Sequence, residues 1–405
     1  MKFGIIKERK SPPDKRVVFS PRMLQTFKEQ YPSAEFVVEP SEVRIFNDDE
    51  YRSLGFEVSS DMEQCDVLIG VKEVPLSAML SNKSYFFFSH TIKKQAHNQK
   101  MLQAILDNDI TLYDHETITD ASGRRLIGFG RYAGIVGTYN GFRAFGLKYE
   151  LFNIPKAETL NGAHELVERL KRPQLPSIKI ALTGKGKVGM GAKEILDAMK
   201  IKQVSAKDFL EKNYDRPVYV QLDVLDYNRR KDGLKAIDND DFFKHPEDYV
   251  SDFERFTKVT DIYLAGHFHG NGAPDILTCE MLNHKDNKIK VVADISCDVA
   301  GPVACTLRSS TIAEPFYGYN PSTGQEADMY HPAAIVVMAV DNLPCELPRD
   351  ASEGFGEMFL EHVIPAFFNG DKSGILNRSK ITEKGKLTER FKYLDGFVHQ
   401  NVPHM

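Results

Sequence analysis

The sequence lacks the features that membrane proteins and nucleic-acid-binding proteins usually show. Its longest strongly apolar run is about eight residues, 333–340, whereas a helix needs about 20 apolar residues to cross a bilayer. The 52 basic and 57 acidic residues give a net charge of −5, which leaves no surplus of positive charge for a phosphate backbone. We therefore expect neither a membrane nor a nucleic acid as a partner.

Cysteine is also scarce. The five cysteines are odd in number, dispersed along the chain and without a CxxC pair, a pattern that argues against a disulfide framework or a structural zinc site. The N-terminal segment reaches charged residues before an apolar signal region develops. We expect a protein of the reducing cytoplasm, without a metal centre.

The patterning that is present is typical of an α/β protein. The 405 residues suffice for two or three domains, and short apolar segments alternate with amphipathic ones. In the first third, strands are predicted at 2–6, 35–38, 67–71, 85–89 and 110–113, and helices at 21–30 and 93–108. The segment 131–148 has several small residues, and we interpret it as an inter-domain connector that packs closely against a neighbouring backbone.

The second half continues the same alternation. Strands are predicted at 178–183, 261–265, 289–295 and 333–340. A long helix is predicted over 349–368, with Asp350 or Ser352 placed to cap it. The segments 203–224 and 238–256 resist assignment.

The most informative local motif is a glycine-rich turn. Gly184, Gly186 and Gly189 have the GxGxxG spacing directly after a predicted strand and before a predicted helix that runs to Met199. Glycine permits the tight turn and lets the backbone approach a pyrophosphate, and the helix N-terminus offers amide donors. The context favours dinucleotide binding over a purely structural glycine turn.

The choice between NAD and NADP stays open. An acidic residue about 20 residues after the turn usually binds the ribose 2′-hydroxyl of NAD. The second strand is expected to end near 204–208, where Ser205 and Lys207 are suited to a 2′-phosphate and Asp208 to a 2′-hydroxyl.

Polar side chains follow two of the predicted strands in the first third. Lys72 follows the strand at 67–71, and His90 follows the strand at 85–89. If these strands are adjacent and parallel, both side chains emerge at the edge where open α/β sheets place their sites. A lysine and a histidine together can pass protons near neutral pH, and Arg16, on the loop after the first strand, can clamp a carboxylate.

Several segments together resemble the alanine dehydrogenase and transhydrogenase superfamily, specifically its saccharopine dehydrogenase (lysine-forming) and lysine-ketoglutarate reductase branch. The order of the matching stretches is preserved across almost the whole chain. They are Lys7-Glu8 to Pro21, Gly70 to Pro75, Phe88 to Lys93 with Gln95, Gly123 to Gly134, Lys244 to Tyr249, Asp294 to Asp298, Asp341 to Pro344 and Leu347 to Glu353.

The resemblance implies an α/β fold of two Rossmann-like doubly wound domains with the site in a cleft between them. We place the substrate and catalytic domain at 1–130 plus 350–405 and the NAD(P)-binding domain at 131–349. The implied function is a reversible oxidation at the CH–NH bond of saccharopine, which gives L-lysine and 2-oxoglutarate and uses NAD or NADP.

The resemblance also implies roles for individual residues. By position, Lys72 and His90 match the acid–base pair of the family, and Arg16 and Arg125 match residues that bind the carboxylates of the substrate. No metal ligand is implied. A small-molecule amino acid or 2-oxo acid is the expected partner, and a homo-oligomer is compatible with the sequence.

Three further carboxylates match family positions. Glu73 and Glu116 match groups that tune the acid–base pair, and Asp298 matches an aspartate close to the nicotinamide. The chain departs from the family pattern at 266–271, which contains two histidines, and at 299–302. Both departures touch substrate specificity. Two other functions stay open: an alanine dehydrogenase-like enzyme, and a non-catalytic NAD(P)-binding sensor.

Overall fold

The computed structural model describes residues 1–399. The chain divides into two compact units, which we describe separately. The first unit comprises Met1–Phe129 together with the segment that begins at Pro348, and the second unit is Gly130–Leu347. Within the described residues, no helix is both long enough and apolar enough to cross a membrane.

The helices and strands follow one another in the alternating order of an α/β protein. Before residue 130 they are β1 (Lys2–Ile5), α1 (Pro21–Gln30), β2 (Glu35–Val38), α2 (Asp48–Arg52), β3 (Glu57–Val58), β4 (Val67–Ile69), β5 (Ser84–Phe87), α3 (Ala96–Asp107) and β6 (Thr111–Asp114). The second unit contains α4 (Gly130–Lys148), α5 (Ala163–Leu170), β7 (Lys179–Thr183), α6 (Lys187–Ala198), β8 (Lys202–Gln203), α7 (Ala206–Glu211), β9 (Val218–Leu222), β10 (Asn228–Arg230), α8 (Asn239–Lys244), β11 (Tyr249–Ser251), α9 (Glu254–Thr257), β12 (Ile262–Ala265), α10 (Cys279–Asn283), β13 (Val291–Asp294), β14 (Phe316–Asn320), β15 (Gln325–Ala327) and β16 (Ile335–Met338). The chain then returns to the first unit with α11 (Pro348–His362), α12 (Ile364–Phe368), α13 (Ile375–Ser379), β17 (Thr382–Glu383), β18 (Lys386–Leu387) and α14 (Asp395–His399).

The first unit is built on a six-stranded parallel sheet in the order β3-β2-β1-β4-β5-β6. The strands of such a sheet are covered on both faces and are therefore apolar throughout. In β5 the alternation sends Tyr85 and Phe87 into one buried cluster and Phe86 and the following Phe88 into another. The doubly wound fold expected from the sequence is present, with one additional short strand, β3.

The second unit has an eight-stranded mixed sheet. Six strands run parallel in the order β8-β9-β7-β12-β13-β16, and β14 and β15 extend the edge in antiparallel pairing. Its core includes apolar side chains of β9 and β13, such as Val220 and Val292, both almost fully buried. This is a second Rossmann-like sheet, and its order reverses beside β7, where such folds bind nucleotides.

Helix α4 packs closely against α6. A Cβ added to Gly134 would lie 2.0 Å from the carbonyl oxygen of Val188, and one added to Gly191 would lie 2.0 Å from that of Arg131. The close backbone approach predicted from the small residues of 131–148 is therefore present. The helix belongs to the second unit, so its interpretation as a connector is corrected.

The helix predicted over 349–368 is two helices, α11 and α12. Pro365 lies in the first turn of α12, where proline is tolerated, but it cannot continue an unbroken helix. Because α11 begins at Pro348, Ser352 lies inside the helix and does not cap it. The Ser352 hydroxyl instead accepts the Val17 amide at 3.0 Å and donates to the Pro348 carbonyl at 2.6 Å.

Candidate active site and nucleotide-binding turn

Two neighbouring strands of the first unit carry the predicted lysine and histidine. Strands β4 and β5 pair in parallel, with Ile69 opposite Phe86, so Lys72 and His90 both follow carboxyl ends of the same sheet edge. The adjacency and direction assumed from the sequence are therefore correct. The roles of the two side chains remain predictions.

His90 lies in a cluster of charged side chains. Its backbone is left-handed, with a φ of 54°, and its Nδ1 lies 3.2 Å from Oε2 of Glu116. Its Nε2 lies 4.0 Å from Oε1 of Glu73, the residue that follows Lys72. The cluster thus brings Glu73 and Glu116, both predicted as tuning carboxylates, to opposite nitrogens of one imidazole.

Glu116 is the most heavily paired member of this cluster. Its Oε1 lies 3.3 Å from Nζ of Lys93 and 3.2 Å from Nη2 of Arg125. Burial alone would raise the pKa of Glu116, but the hydrogen bond from His90 and the nearby positive charges outweigh it and lower this pKa to about 2. Glu116 therefore carries a negative charge throughout the neutral range, and it holds both His90 and Arg125.

Glu8 fixes the backbone beside Lys72. Its Oε1 accepts the amide of Val71 at 2.7 Å, and its Oε2 accepts the amide of Lys72 at 2.8 Å. Burial raises the pKa of Glu8 to about 7, against the lowering effect of these two amides. Glu8 follows the first predicted strand, but no sequence motif points to its contact with Lys72.

Arg16 is buried and engaged with Asp14. The Arg16 Nε donates to Oδ1 at 3.0 Å, and Nη2 donates to Oδ2 at 2.6 Å. The guanidinium also lies over the ring of Phe129, 4.2 Å from its centroid. Burial alone would raise the pKa of Asp14, but the hydrogen bonds and ion pair with Arg16 outweigh this effect and lower the pKa to about 2. Any carboxylate that approaches Arg16 must therefore compete with Asp14, an ion pair that the sequence patterns do not reveal.

Two further buried polar side chains, Asp114 and His115, form hydrogen bonds to the backbone at this edge. Asp114 accepts hydrogen bonds from the Ser89 amide at 3.0 Å and from the Glu116 amide at 2.7 Å, and burial raises its pKa to about 6. The next residue, His115, donates through Nε2 to the Gly70 carbonyl at 2.8 Å, and burial lowers its pKa to about 4. These contacts join the ends of β4, β5 and β6.

The glycine-rich turn of the second unit has the geometry of a nucleotide cradle. Gly184 has a φ of +97°, and a Cβ on Gly189 would lie 2.1 Å from the Gly184 carbonyl oxygen. Nothing lies within 4 Å of a Cβ position on Gly186, which caps the twelve-residue helix α6. A tight first glycine, an open second and a closely packed third are what a pyrophosphate on a helix N-terminus requires, so these residues fit a dinucleotide.

Ser205, predicted from the sequence as a cofactor-binding residue, does not follow a strand that pairs with β7. Ser205 follows the edge strand β8 and caps α7, where its Oγ accepts the Asp208 amide at 3.1 Å. The strand that pairs with β7 is β9, and Asp223 follows it directly, with Oδ2 3.3 Å from Nζ of Lys185 in the glycine turn. The strand predicted to end near 204–208 corresponds to the short β8, but the strand that neighbours β7 is β9.

The loops after β12 and β13 complete this edge. The carbonyl oxygen of Gly266 would lie 2.4 Å from a Cβ on Gly184, so the loop after β12 touches the turn. Ser296, after β13, donates to the His267 carbonyl at 3.1 Å. Asp298 is exposed two residues further along. Among residues 1–399, no group of three or more His, Cys, Asp or Glu side chains is arranged to hold a metal ion.

Comparisons with known proteins agree with this architecture. The model of the alanine dehydrogenase/PNT N-terminal domain family matches residues 4–136. An L-alanine dehydrogenase structure covers 98% of this chain and is itself covered fully, at a TM-score of 0.64 and 16% identity. The chain is therefore similar to the alanine dehydrogenase/PNT family over its first 136 residues and to L-alanine dehydrogenase in its overall fold.

The curated proteins to which the chain is similar include a synthase and a dehydrogenase. The chain is 28% identical to an alpha-aminoadipic semialdehyde synthase of Arabidopsis thaliana, over 96% of this chain but 41% of the relative. It is 25% identical to a saccharopine dehydrogenase (NAD(+), L-lysine-forming) of Schizosaccharomyces pombe, over 91% of this chain and 94% of the relative. The chain thus spans about two-fifths of the longer relative.

Proposed function

We propose that the chain catalyses the reversible oxidation of saccharopine to L-lysine and 2-oxoglutarate, with NAD as the preferred cofactor. The observation that carries the proposal is the arrangement at the carboxyl edge of the first unit. There, His90 lies between Glu73 and Glu116, and Lys72 follows the adjacent parallel strand.

The two predicted acid–base groups suit the hydrolytic half of this reaction. Oxidation of the secondary amine leaves an imine on the substrate, to which water adds before the carbinolamine separates into an amine and a ketone. Protons must leave the water and reach the departing amine. His90 at Nε2 and Lys72 at Nζ are the groups that we assign to hold and move these protons.

Carboxylate recognition is assigned to Arg125 and Arg16. Arg125 is about half exposed and paired with Glu116, so a substrate carboxylate approaching it adds a second anion to an existing pair. Arg16 is held rigidly by Asp14 and Phe129, which orients its guanidinium before any substrate arrives. Fixed donors of this kind position a substrate at low entropic cost.

The glycine turn would hold the pyrophosphate, with Gly184, Gly186 and Gly189 in the roles described above. When bound, a nicotinamide cofactor supplies the hydride acceptor. Asp223 supports the preference for NAD, because its carboxylate can accept hydrogen bonds from a ribose hydroxyl and would repel a 2′-phosphate. We propose Asp298 as a residue of the nicotinamide side.

The proposal is tested by a spectrophotometric assay of the purified full chain. NADH and NADPH are supplied separately with 2-oxoglutarate and L-lysine, and in parallel with pyruvate and ammonia. We expect oxidation of NADH with lysine and 2-oxoglutarate, and saccharopine as the product by mass spectrometry. Turnover with pyruvate and ammonia alone would replace this proposal with an alanine dehydrogenase activity, and nucleotide binding without any turnover would indicate a sensor.

A further inference from the structure

An unpaired nitrogen lies beside the glycine turn. His267 is the second residue of the loop after β12, its Cα would lie 2.9 Å from a Cβ on Gly184, and its side chain is only 6% exposed. The Nε2 of His267 is buried and has no hydrogen-bond partner. A buried polar atom without a partner is costly, so this position needs an explanation that the fold alone does not provide.

The neighbouring hydroxyl groups determine whether Nε2 is a donor. Oγ1 of Thr183 lies 3.0 Å from the Tyr263 hydroxyl and 3.0 Å from Nδ1 of His267. If Tyr263 donates to Thr183 and Thr183 donates to Nδ1, every polar group of these three side chains is paired except the proton on Nε2. The reverse direction would leave two groups unpaired, the Tyr263 hydroxyl proton and the Nε2 lone pair. The first arrangement is therefore favoured, and it makes Nε2 a hydrogen-bond donor.

We propose that Nε2 of His267 donates a hydrogen bond to an oxygen of the dinucleotide bound at the glycine turn. Thr183 ends β7, directly before Gly184, so the hydroxyl chain that orients the imidazole is attached to the turn itself. Ser296 also holds the backbone of His267, because its hydroxyl donates to the His267 carbonyl at 3.1 Å. The inference rests on the proposed function only for the binding of a dinucleotide, not for the substrate.

The imidazole acts as a neutral donor. Burial, and secondarily the charge of His269, lower the pKa of His267 to about 3, so the ring carries no charge at neutral pH. Because Nε2 is shielded in the structure, an acceptor reaches it only when the loop 266–273 shifts. That loop contains Gly266, Gly270 and Gly272, of which Gly272 has a φ of +80°, and glycine gives the backbone the conformational freedom that such a shift needs.

The test compares two histidines of the same loop. The variant His267→Asn retains a polar group near the position of Nδ1 but removes the donor at Nε2, whereas His267→Gln reaches the position of Nε2. The matched control is His269→Asn, because the Nε2 of His269 already has a partner, the Ala273 carbonyl at 3.2 Å. Affinities for NADH and ADP are measured by fluorescence and calorimetric titration, and thermal unfolding without nucleotide reports on the fold.

We expect His267→Asn to weaken NADH binding roughly ten- to hundredfold, as the loss of a hydrogen bond to a charged or strongly polar group does. His267→Gln should recover most of the affinity, and His269→Asn should change it less than about threefold. An equal loss for ADP assigns the acceptor to the diphosphate, whereas a loss for NADH alone assigns it to the nicotinamide half.

Unchanged NADH affinity in a folded His267→Asn variant would overturn the inference. A drop in unfolding temperature with unchanged affinity would also do so, because it would make His267 purely structural. Failure of the wild-type chain to bind NADH, NADPH or ADP would overturn it as well. If NADH binds and His267→Asn weakens it while no substrate is turned over, the proposed reaction fails and this inference stands.

Discussion

The carboxyl edges of the two sheets differ in what forms them: mainly charged side chains in the first unit and mainly backbone in the second. In the first unit the edge consists of charged side chains held by one another, as His90 is held by Glu116 and Arg16 by Asp14. In the second unit the edge is formed mainly by backbone, shaped by Gly184 and Gly189, and the Nε2 of the buried His267 has no partner there. The first arrangement is suited to moving protons, and the second to accepting a ligand against its main chain.

The largest expected effect is on turnover, which we assign to the edge of the first unit and not to the edge of the second. His90→Gln removes the imidazole proposed as an acid–base group but leaves the glycine turn untouched, so we expect turnover to fall roughly 10²- to 10⁴-fold while NADH affinity changes little. His97→Gln is the control, because His97 is an exposed histidine of α3. Steady-state kinetics and NADH titration on the same samples measure both quantities. A His90→Gln enzyme with wild-type turnover would remove His90 from the mechanism.

A second contrast lies within the glycine turn. Gly189→Ala places a Cβ 2.1 Å from the Gly184 carbonyl oxygen, whereas Gly186→Ala meets nothing within 4 Å. We expect Gly189→Ala to lower the free energy of unfolding by about 1–3 kcal/mol and to weaken nucleotide binding. Gly186→Ala should keep its stability and lose affinity only, since its Cβ would stand where the pyrophosphate approaches. Equal stability of the two variants in urea unfolding would argue against the turn geometry.

The third contrast concerns cofactor choice. Asp223→Ser removes the carboxylate after β9, and we expect the ratio of NADH to NADPH affinity to shift about tenfold toward NADPH, which corresponds to about 1.4 kcal/mol. Asp208→Ser, at the position that the sequence suggested, serves as the control and should leave the ratio unchanged. A shift in Asp208→Ser alone would instead indicate Asp208 as the residue beside the ribose.

The charged edge should also respond to pH in a defined direction. Burial raises the pKa of Glu8 from 4.5 to about 7, so the folded chain binds this proton more tightly than the unfolded chain does. The contribution of Glu8 to the free energy of unfolding therefore falls as the pH rises from about 4.5 to about 7. In urea unfolding across that range, Glu8→Gln should show a shallower decline than wild type. Glu29→Gln, on the exposed face of α1, should match the wild-type slope, and an unchanged slope in Glu8→Gln would contradict the assignment.

The smallest expected effect is at Ser205. Because its hydroxyl caps α7, Ser205→Ala should cost roughly 1 kcal/mol of stability and leave the affinity for both cofactors unchanged. Thermal unfolding and nucleotide titration measure the two parts of this prediction. A selective loss of NADPH affinity would return Ser205 to the cofactor site.

The first unit could largely be predicted from the sequence because its signals are local. Strand β5 is a continuous aromatic run that ends before His90, and β4 ends before Lys72, so the residues at the strand ends follow from the strands themselves. The partners of those residues could not be predicted in the same way. Glu8 reaches the Lys72 amide across 64 positions of sequence, and only the order of strands in the sheet brings the two together.

In the second unit, the order of the strands is what could not be predicted from the sequence. The glycine turn was evident from its spacing, but the strand beside β7 is the third of the sheet in chain order, β9, and not the two-residue β8. Sequence patterns identify strands but do not show which ones become neighbours. The β-branched and aromatic run Val218-Tyr219-Val220, followed by Asp223, was the available signal for this assignment.

The most direct test of the account is a paired measurement on Lys72→Met. We assign proton transfer to the first unit and nucleotide binding to the second, so the two properties must be separable. We expect Lys72→Met to bind NADH with wild-type affinity and to show little turnover of lysine and 2-oxoglutarate. Wild-type turnover in this variant, or a parallel loss of NADH affinity in a folded protein, would contradict the account.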